Sequence, residues 1–170
     1  MWISAIRLVA RTSWATDAGT DSLVQASIMR DGRQLVLLNL DYPAEDDLER
    51  GAIRAYDYIG PTKLPRSNDQ TPELPAGIGQ SPMPYPGYGL EFSHGLAGHL
   101  VVQLHIRNDD MWIKDNVDLY VQRIRQRATS FDTLAWIEDN TWDYVASWTQ
   151  DVAMSTDSGE GHEFWNMQLN

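Results

Sequence analysis

Apolar and polar residues alternate along most of this chain with a period of two, the pattern of half-buried strands. Ile6, Leu8 and Ala10 interleave with Arg7, Val9 and Arg11, which puts successive side chains on opposite faces of an extended segment. Met1 to Arg11 therefore reads as a first strand, with a loop over Thr12 to Asp21. Leu23 to Met29 and Gln34 to Leu40 are apolar-rich runs flanking Arg30-Asp31-Gly32-Arg33, and Asp-Gly between two such runs predicts an antiparallel hairpin. The alternation returns in Arg50 to Tyr58, His99 to Arg107 and Asn116 to Arg125. It blurs between Ser130 and Trp148, where Trp136, Trp142 and Trp148 recur every six residues, a spacing that suits neither helix nor strand strictly. Gly159 to Leu169 reads as a turn and a closing strand that packs Phe164 or Trp165.

Seven or eight short strands, turn signals between them and almost no amphipathic helix predict an all-β fold, an antiparallel eight-stranded β-sandwich. Seven of the eight prolines fall between Pro61 and Pro86, and five glycines between Gly77 and Gly95. That stretch cannot continue a helix or a central strand, so 60–89 reads as a Pro/Gly-rich loop insertion in a single domain spanning 1–170. Its Pro82-x-Pro84-x-Pro86 run reads as loop structure before it reads as a polyproline ligand.

Charge narrows the partners. Thirteen basic against 24 acidic residues leave a formal net charge of −11, which repels phosphodiester backbones, disfavours nucleic acid and attracts cations. The chain has no cysteine, so a metal must be held by oxygen or imidazole, which favours a hard cation. The N-terminus lacks the basic and apolar segments of a secretion signal, and no run approaches the roughly 20 apolar residues of a membrane-spanning helix. The expectation is a soluble protein, cytoplasmic or exported without a standard signal. Met1 opening on a strand and a strand near the end suggest a compact free-standing unit.

The acidic residues are clustered. Asp17-Ala18-Gly19-Thr20-Asp21 and Asn108-Asp109-Asp110-Met111 each follow a strand-like run, and Asp41 with Glu45-Asp46-Asp47 follows another. In a sandwich the loops gather at its two ends, so three loops can offer carboxylate and carbonyl oxygens to one end, the way calcium sites are assembled from distant sequence. Local turn chemistry, in which Asp side chains accept backbone N–H bonds, is the competing explanation for each carboxylate.

Three of these segments resemble the PLAT family, the β-sandwich domains attached to lipoxygenases, animal lipases, polycystins and the clostridial alpha-toxin phospholipases C. Asp17 to Asp21 is similar to the calcium loop after the first strand of the alpha-toxin domain. Asp46-Asp47-Leu48-Glu49-Arg50-Gly51 resembles the family's acidic pair, apolar residue and glycine. Asp110-Met111-Trp112 and the residues to Val117 resemble the segment that completes the first calcium site and leads into the sixth strand. The motifs occur in the family's order and cover residues 6 to 121.

The resemblance implies one Ca2+ held by the Asp17 carboxylate, the Gly19 carbonyl, the Asp110 carboxylate and the Met111 carbonyl, with water completing its roughly 6 to 8 positions. A second would use Thr20, Asp46 and Asp47, with Asp41 and Asp21 nearby. In Asn108-Asp109-Asp110 either Asp109 or Asp110 fits as the ligand. The sequence departs from the family in two places. Arg107 runs almost directly into Asp109-Asp110, where alpha-toxin domains carry a longer loop with aromatics that press into lipid, and the family lacks the 60–89 segment. Trp14 and Trp112 flank the site as replacement contacts for a membrane or partner, since Trp favours the membrane interface; for Trp112 a place in the core is the competing reading.

Catalysis is not expected. There is no Gly-x-Ser-x-Gly elbow and no phosphate-cradling glycine loop before a helix. His94, His99 and His105 read as ordinary histidines rather than a zinc set, and Glu45, Asp46, Asp47 and Glu49 sit side by side in one loop, whereas glycosidase carboxylates face each other across a cleft. The function expected is a calcium-binding module that docks on a membrane surface or partner protein. The alternative is a metal-independent or calcium-stabilised subunit that binds a protein or a glycan through the sandwich face or the Pro-rich loop.

Overall fold

A computed structural model describes residues 2–30, 32–41, 48–59, 90–91, 100–130, 133–138 and 141–169. The expected insertion at 60–89 and the residues Glu45, Asp46, Asp47, His94 and His99 lie outside the described residues. Among the described residues eleven strands run β1 (Trp2–Thr12), β2 (Leu23–Arg30), β3 (Arg33–Asn39), β4 (Ile53–Ile59), β5 (Leu90–Glu91), β6 (Leu100–Arg107), β7 (Trp112–Ser130), β8 (Thr133–Glu138), β9 (Asp143–Trp148), β10 (Val152–Met154) and β11 (Phe164–Gln168). All pairings are antiparallel, in two sheets. The first has the path β10-β7-β1-β4, with β5 on β1 and with β8 and β9 on β7; the second is β11-β6-β2-β3.

Two local features separate this count from eight: β5 is a two-residue strand paired to the end of β1, and one return path is divided among three strands. β8, β9 and β10 all pair with the one long strand β7, at 124–130, 117–121 and 112–114 respectively, so together they form a single return strand broken twice. A bulge within β9 explains the spacing of Trp142 and Trp148. In a regular strand, six residues would leave Trp142 and Trp148 on the same face, but a register shift lies between Leu119 and Tyr120 where β9 pairs with β7, and a bulge flips the alternation. Trp142 accordingly lies under the Arg7 guanidinium, 4.2 Å from its ring centre, while Trp148 packs against the core.

A second shift, between Arg11 and Thr12 against Asn116 and Lys114, interrupts the alternation of β7. Trp112 and Lys114 face inward, and the inward phase resumes at Val117, Leu119 and Val121. This is why the alternation in sequence begins at Asn116 although the strand begins at Trp112. The hairpin stands where Asp-Gly places it, with Gly32 at φ +74° in the left-handed region that glycine adopts without penalty.

The core lies between the sheets: Ile6, Leu8, Ala10 and Tyr56 from the first, Val24, Ala26, Ile28, Val102, Leu104 and Ile106 from the second. In the closing strand Met167 and Leu169 are buried and Trp165 packs beside them, whereas Phe164 points away and is 48% exposed. Of the two residues expected to pack there, Trp165 does. Trp112 is fully buried, which removes it as a surface contact. Among the described residues no helix is long and apolar enough to cross a membrane.

Candidate functional site

The loops after β1 and β6 and the segment before β4 meet at one end of the sandwich. Their backbones are tied together: Ile113 N–H donates to Ala18 O at 3.0 Å, Thr20 N–H to Leu48 O at 3.3 Å, Ser13 N–H to Ile113 O at 2.9 Å and Gly51 N–H to Ser13 O at 3.1 Å. Ala18 is buried beneath the loop, and Asp17 turns the chain with φ +58°. Asn108, at φ +89°, does the same for the opposite loop. Asn and Asp tolerate this conformation better than other non-glycine residues because a short polar side chain can bond locally.

The clamp between the two acidic loops is Asp110. Its Oδ2 accepts the Asp21 N–H at 2.8 Å. The Thr20 hydroxyl donates to Asp110, its oxygen lying 2.9 Å from Oδ2 and 3.1 Å from the backbone carbonyl, and accepts the Ser22 N–H at 3.0 Å. These bonds span about ninety residues and close an open cavity of about 330 Å³ lined by Thr16 to Asp21, Glu49, Arg50 and Asp110.

Asp17, Gly19, Thr20, Asp21 and Asp110 are thus brought together. Asp109 is not part of the lining; its carbonyl accepts a bond from the Ser155 hydroxyl at 3.1 Å, so of the adjacent pair only Asp110 faces the cavity. Asp41 and Met111 are also absent from the lining. Glu49 and Arg50 line the wall that faces the first loop, and sequence reasoning had not assigned them there. The signal was their place beside Gly51, whose left-handed φ of +72° bends the chain back toward the first loop.

Electrostatically the cavity holds four carboxylates, Asp17, Asp21, Glu49 and Asp110, against the single guanidinium of Arg50. Arg50 Nε donates to the Trp14 carbonyl at 2.8 Å, and the Trp14 indole lies over Gly51, 72% exposed. Among the described residues no three His, Asp or Glu side chains stand close enough to share a metal ion. Apart from Arg50 the polar groups of the lining side chains are oxygens. Such a donor set fits a hard cation that takes one or two carboxylates with backbone oxygens and water, and does not fit a softer metal wanting nitrogen or sulfur.

Two glycines carry the local shape. A Cβ on Gly19 would stand 2.9 Å from Arg50 N, so the first loop can approach the Glu49-Arg50 wall only without a side chain. At Gly51 a Cβ would meet the Trp14 ring at 2.7 Å in a backbone conformation that L residues disfavour. Gly51→Ala is expected to cost about 1 to 2 kcal/mol and to lower the melting temperature by roughly 2 to 8 °C for a chain of this size. A thermal melt followed by circular dichroism checks this; an unchanged Tm would show that the bend is not strained.

No family model matches the chain, and no curated protein does. Solved structures do resemble it. The alpha toxin from Clostridium absonum has 15% identity and a TM-score of 0.45, over 85% of this chain and 32% of the toxin. Crystal structures of two LOX variants, one of them anaerobic and in complex with arachidonate, have 14% identity and TM-scores of 0.42, over 89% of this chain and 16% of theirs. The chain thus spans less than a third of the toxin and about a sixth of the LOX.

Proposed function

We propose that this chain is a calcium-binding, PLAT-like β-sandwich module that docks on a membrane surface or a partner protein and carries out no catalysis of its own. The observation that supports the reading most is the Asp110 carboxylate reaching the first loop across the cavity, beside Asp17, Asp21 and Glu49. Asp17, Gly19 and Asp110 are the residues that would hold the ion, with Asp21 and Glu49 within the same lining. When bound, the ion supplies positive charge at an otherwise acidic end and so tolerates a phosphate headgroup or an acidic partner.

The chain's own residues do the rest. Thr20 and the Asp21 N–H orient Asp110, which holds the two loops in register before any ligand arrives. Trp14, exposed on the rim beside Arg50, presents an aromatic ring suited to the boundary between headgroups and acyl chains.

A ligand that binds only the folded state raises stability by mass action, about 2.7 kcal/mol at a hundredfold excess over Kd. Chelator-treated protein titrated with calcium is therefore expected to melt roughly 5 to 10 °C higher, with magnesium much less effective. Asp17→Ala combined with Asp110→Ala abolishes the shift. A full calcium response in that double variant would sink the assigned site. Liposome pelleting with and without calcium then separates the two docking partners, since only the membrane reading requires calcium-dependent pelleting.

A further inference from the structure

The outward face of the second sheet differs chemically from the rest of this acidic molecule. Six amides stand on it in cross-strand rows: Gln25, Gln34, Asn39, Gln103, Asn166 and Gln168. They pair laterally, Gln25 Nε2 donating to Asn39 Oδ1 and Gln103 Nε2 to Asn166 Oδ1, both at 2.8 Å. The Ser27 hydroxyl donates to Gln34 Oε1 at 3.0 Å. A primary amide has two donors and an acceptor with two lone pairs, so the one lateral bond between Gln103 and Asn166 leaves both with capacity for a ligand.

The accessible part is the strip formed by β11 and β6. Asn166 and Gln168 are exposed and Gln103 is half-buried. Phe164, 48% exposed, stacks on His105 with ring centres 4.4 Å apart and planes within 10°. From Phe164 to Gln168 the strip runs about 14 Å along the strand. Among the described residues formal charge stands at its margin, in Arg107 and Glu163. The outward face of the first sheet is the opposite case, carrying the ion pairs Arg7–Asp57 and Arg11–Asp118.

We infer that the β6–β11 face binds a neutral polysaccharide, with Phe164 as the stacking platform and Gln103, Asn166 and Gln168 as the hydroxyl-reading groups. Sugar hydroxyls match amides as both donors and acceptors, and the C–H face of a pyranose packs on an aromatic ring. A polyanionic chain would be opposed by the net charge of −11. A protein partner would call for several buried apolar or arginine anchors, and this strip exposes a single large apolar side chain, Phe164. The inference is independent of the cation site, which uses other residues at the loop end of the sandwich.

Affinity gel electrophoresis of the full chain tests it, using native gels cast with xyloglucan, mixed-linkage β-glucan, galactomannan or arabinoxylan, and polygalacturonate as the anionic control. The expected result is retardation in at least one neutral gel and none in polygalacturonate. Phe164→Ala, and separately Gln103→Ala with Asn166→Ala, lose that retardation while melting as the parent does, and Asp17→Asn with Asp110→Asn keeps it. Retardation in no neutral gel, retardation unchanged in the face variants, or migration that shifts with protein concentration alone would overturn the proposal, the last by identifying the face as a self-association surface.

Discussion

Trp112→Ala should destabilise the protein by about 4 kcal/mol, in the range measured for large aromatic side chains removed from cores. The indole is fully enclosed, so truncation costs its transfer free energy and leaves a cavity that the two sheets cannot close. It also removes a polar tie. Trp112 Nε1 donates to Thr12 Oγ1 at 3.0 Å, and the Thr12 hydroxyl donates to Leu48 O at 3.2 Å. Leu48 O accepts the Thr20 N–H as well, so the chain of bonds runs from the core to the loop that carries Asp17 and Asp21. Trp112→Phe, which keeps most of the volume and loses the N–H, is expected to cost about 1 to 2 kcal/mol. Urea unfolding followed by far-ultraviolet circular dichroism measures both. A loss below 1 kcal/mol for Trp112→Ala would mean that the ring is not a core residue.

Lys114 is the second large effect. Its side chain is fully enclosed, and Nζ donates to the carbonyls of Trp148 and Gln150, which sit at the break between β9 and β10. Lys114→Ala removes the packed stem and both donors and is expected to cost about 3 kcal/mol.

The amine also links stability to pH. Burial pushes the Lys114 pKa down from 10.5 to about 8, partly offset by the charges of Asp151 and Asp115. Between about pH 8 and 10.5 the unfolded chain binds this proton and the folded chain sheds it. Stability contributed by this group therefore rises with pH across that window, the reverse of a lysine held by a salt bridge. Urea midpoints of the parent and Lys114→Met, compared from pH 7 to pH 10, isolate it from the other titrating groups. The parent should gain on the variant as pH rises; a constant difference would mean that the amine is not desolvated.

How much of this was legible in the sequence depends on whether a signal was local. Alternation in Ile6 to Arg11 and in His99 to Arg107 located strands and their inward faces, because one buried face demands apolar residues at every second position. Asp31-Gly32 located the hairpin, since positive φ is a property of the residue itself. The loops after the first and sixth strands were legible as acidic and as sharing an end, and Asp17, Gly19, Thr20, Asp21 and Asp110 do share one cavity.

Bulges were not legible. A register shift moves every following side chain to the other face, and it arises from how two strands pair, so nothing in Asp115-Asn116 or in Val145-Ala146 announces it. The consequences were the late start assigned to β7, the unreadable tryptophan spacing and the strand count, in which one return strand appears as three.

What the sequence determined by itself was therefore an antiparallel all-β fold, its principal strands and the identity of its acidic loops, since each follows from side-chain period, turn chemistry or charge within a few residues. Tertiary structure alone decided which carboxylates face one another, that Asp110 and not Asp109 reaches the first loop, that Glu49 and Arg50 complete the wall, that Trp112 and Lys114 are buried, and that amides of four strands share one face. These properties depend on contacts between residues up to a hundred positions apart, where register and bulges fix the neighbours and no local pattern records them.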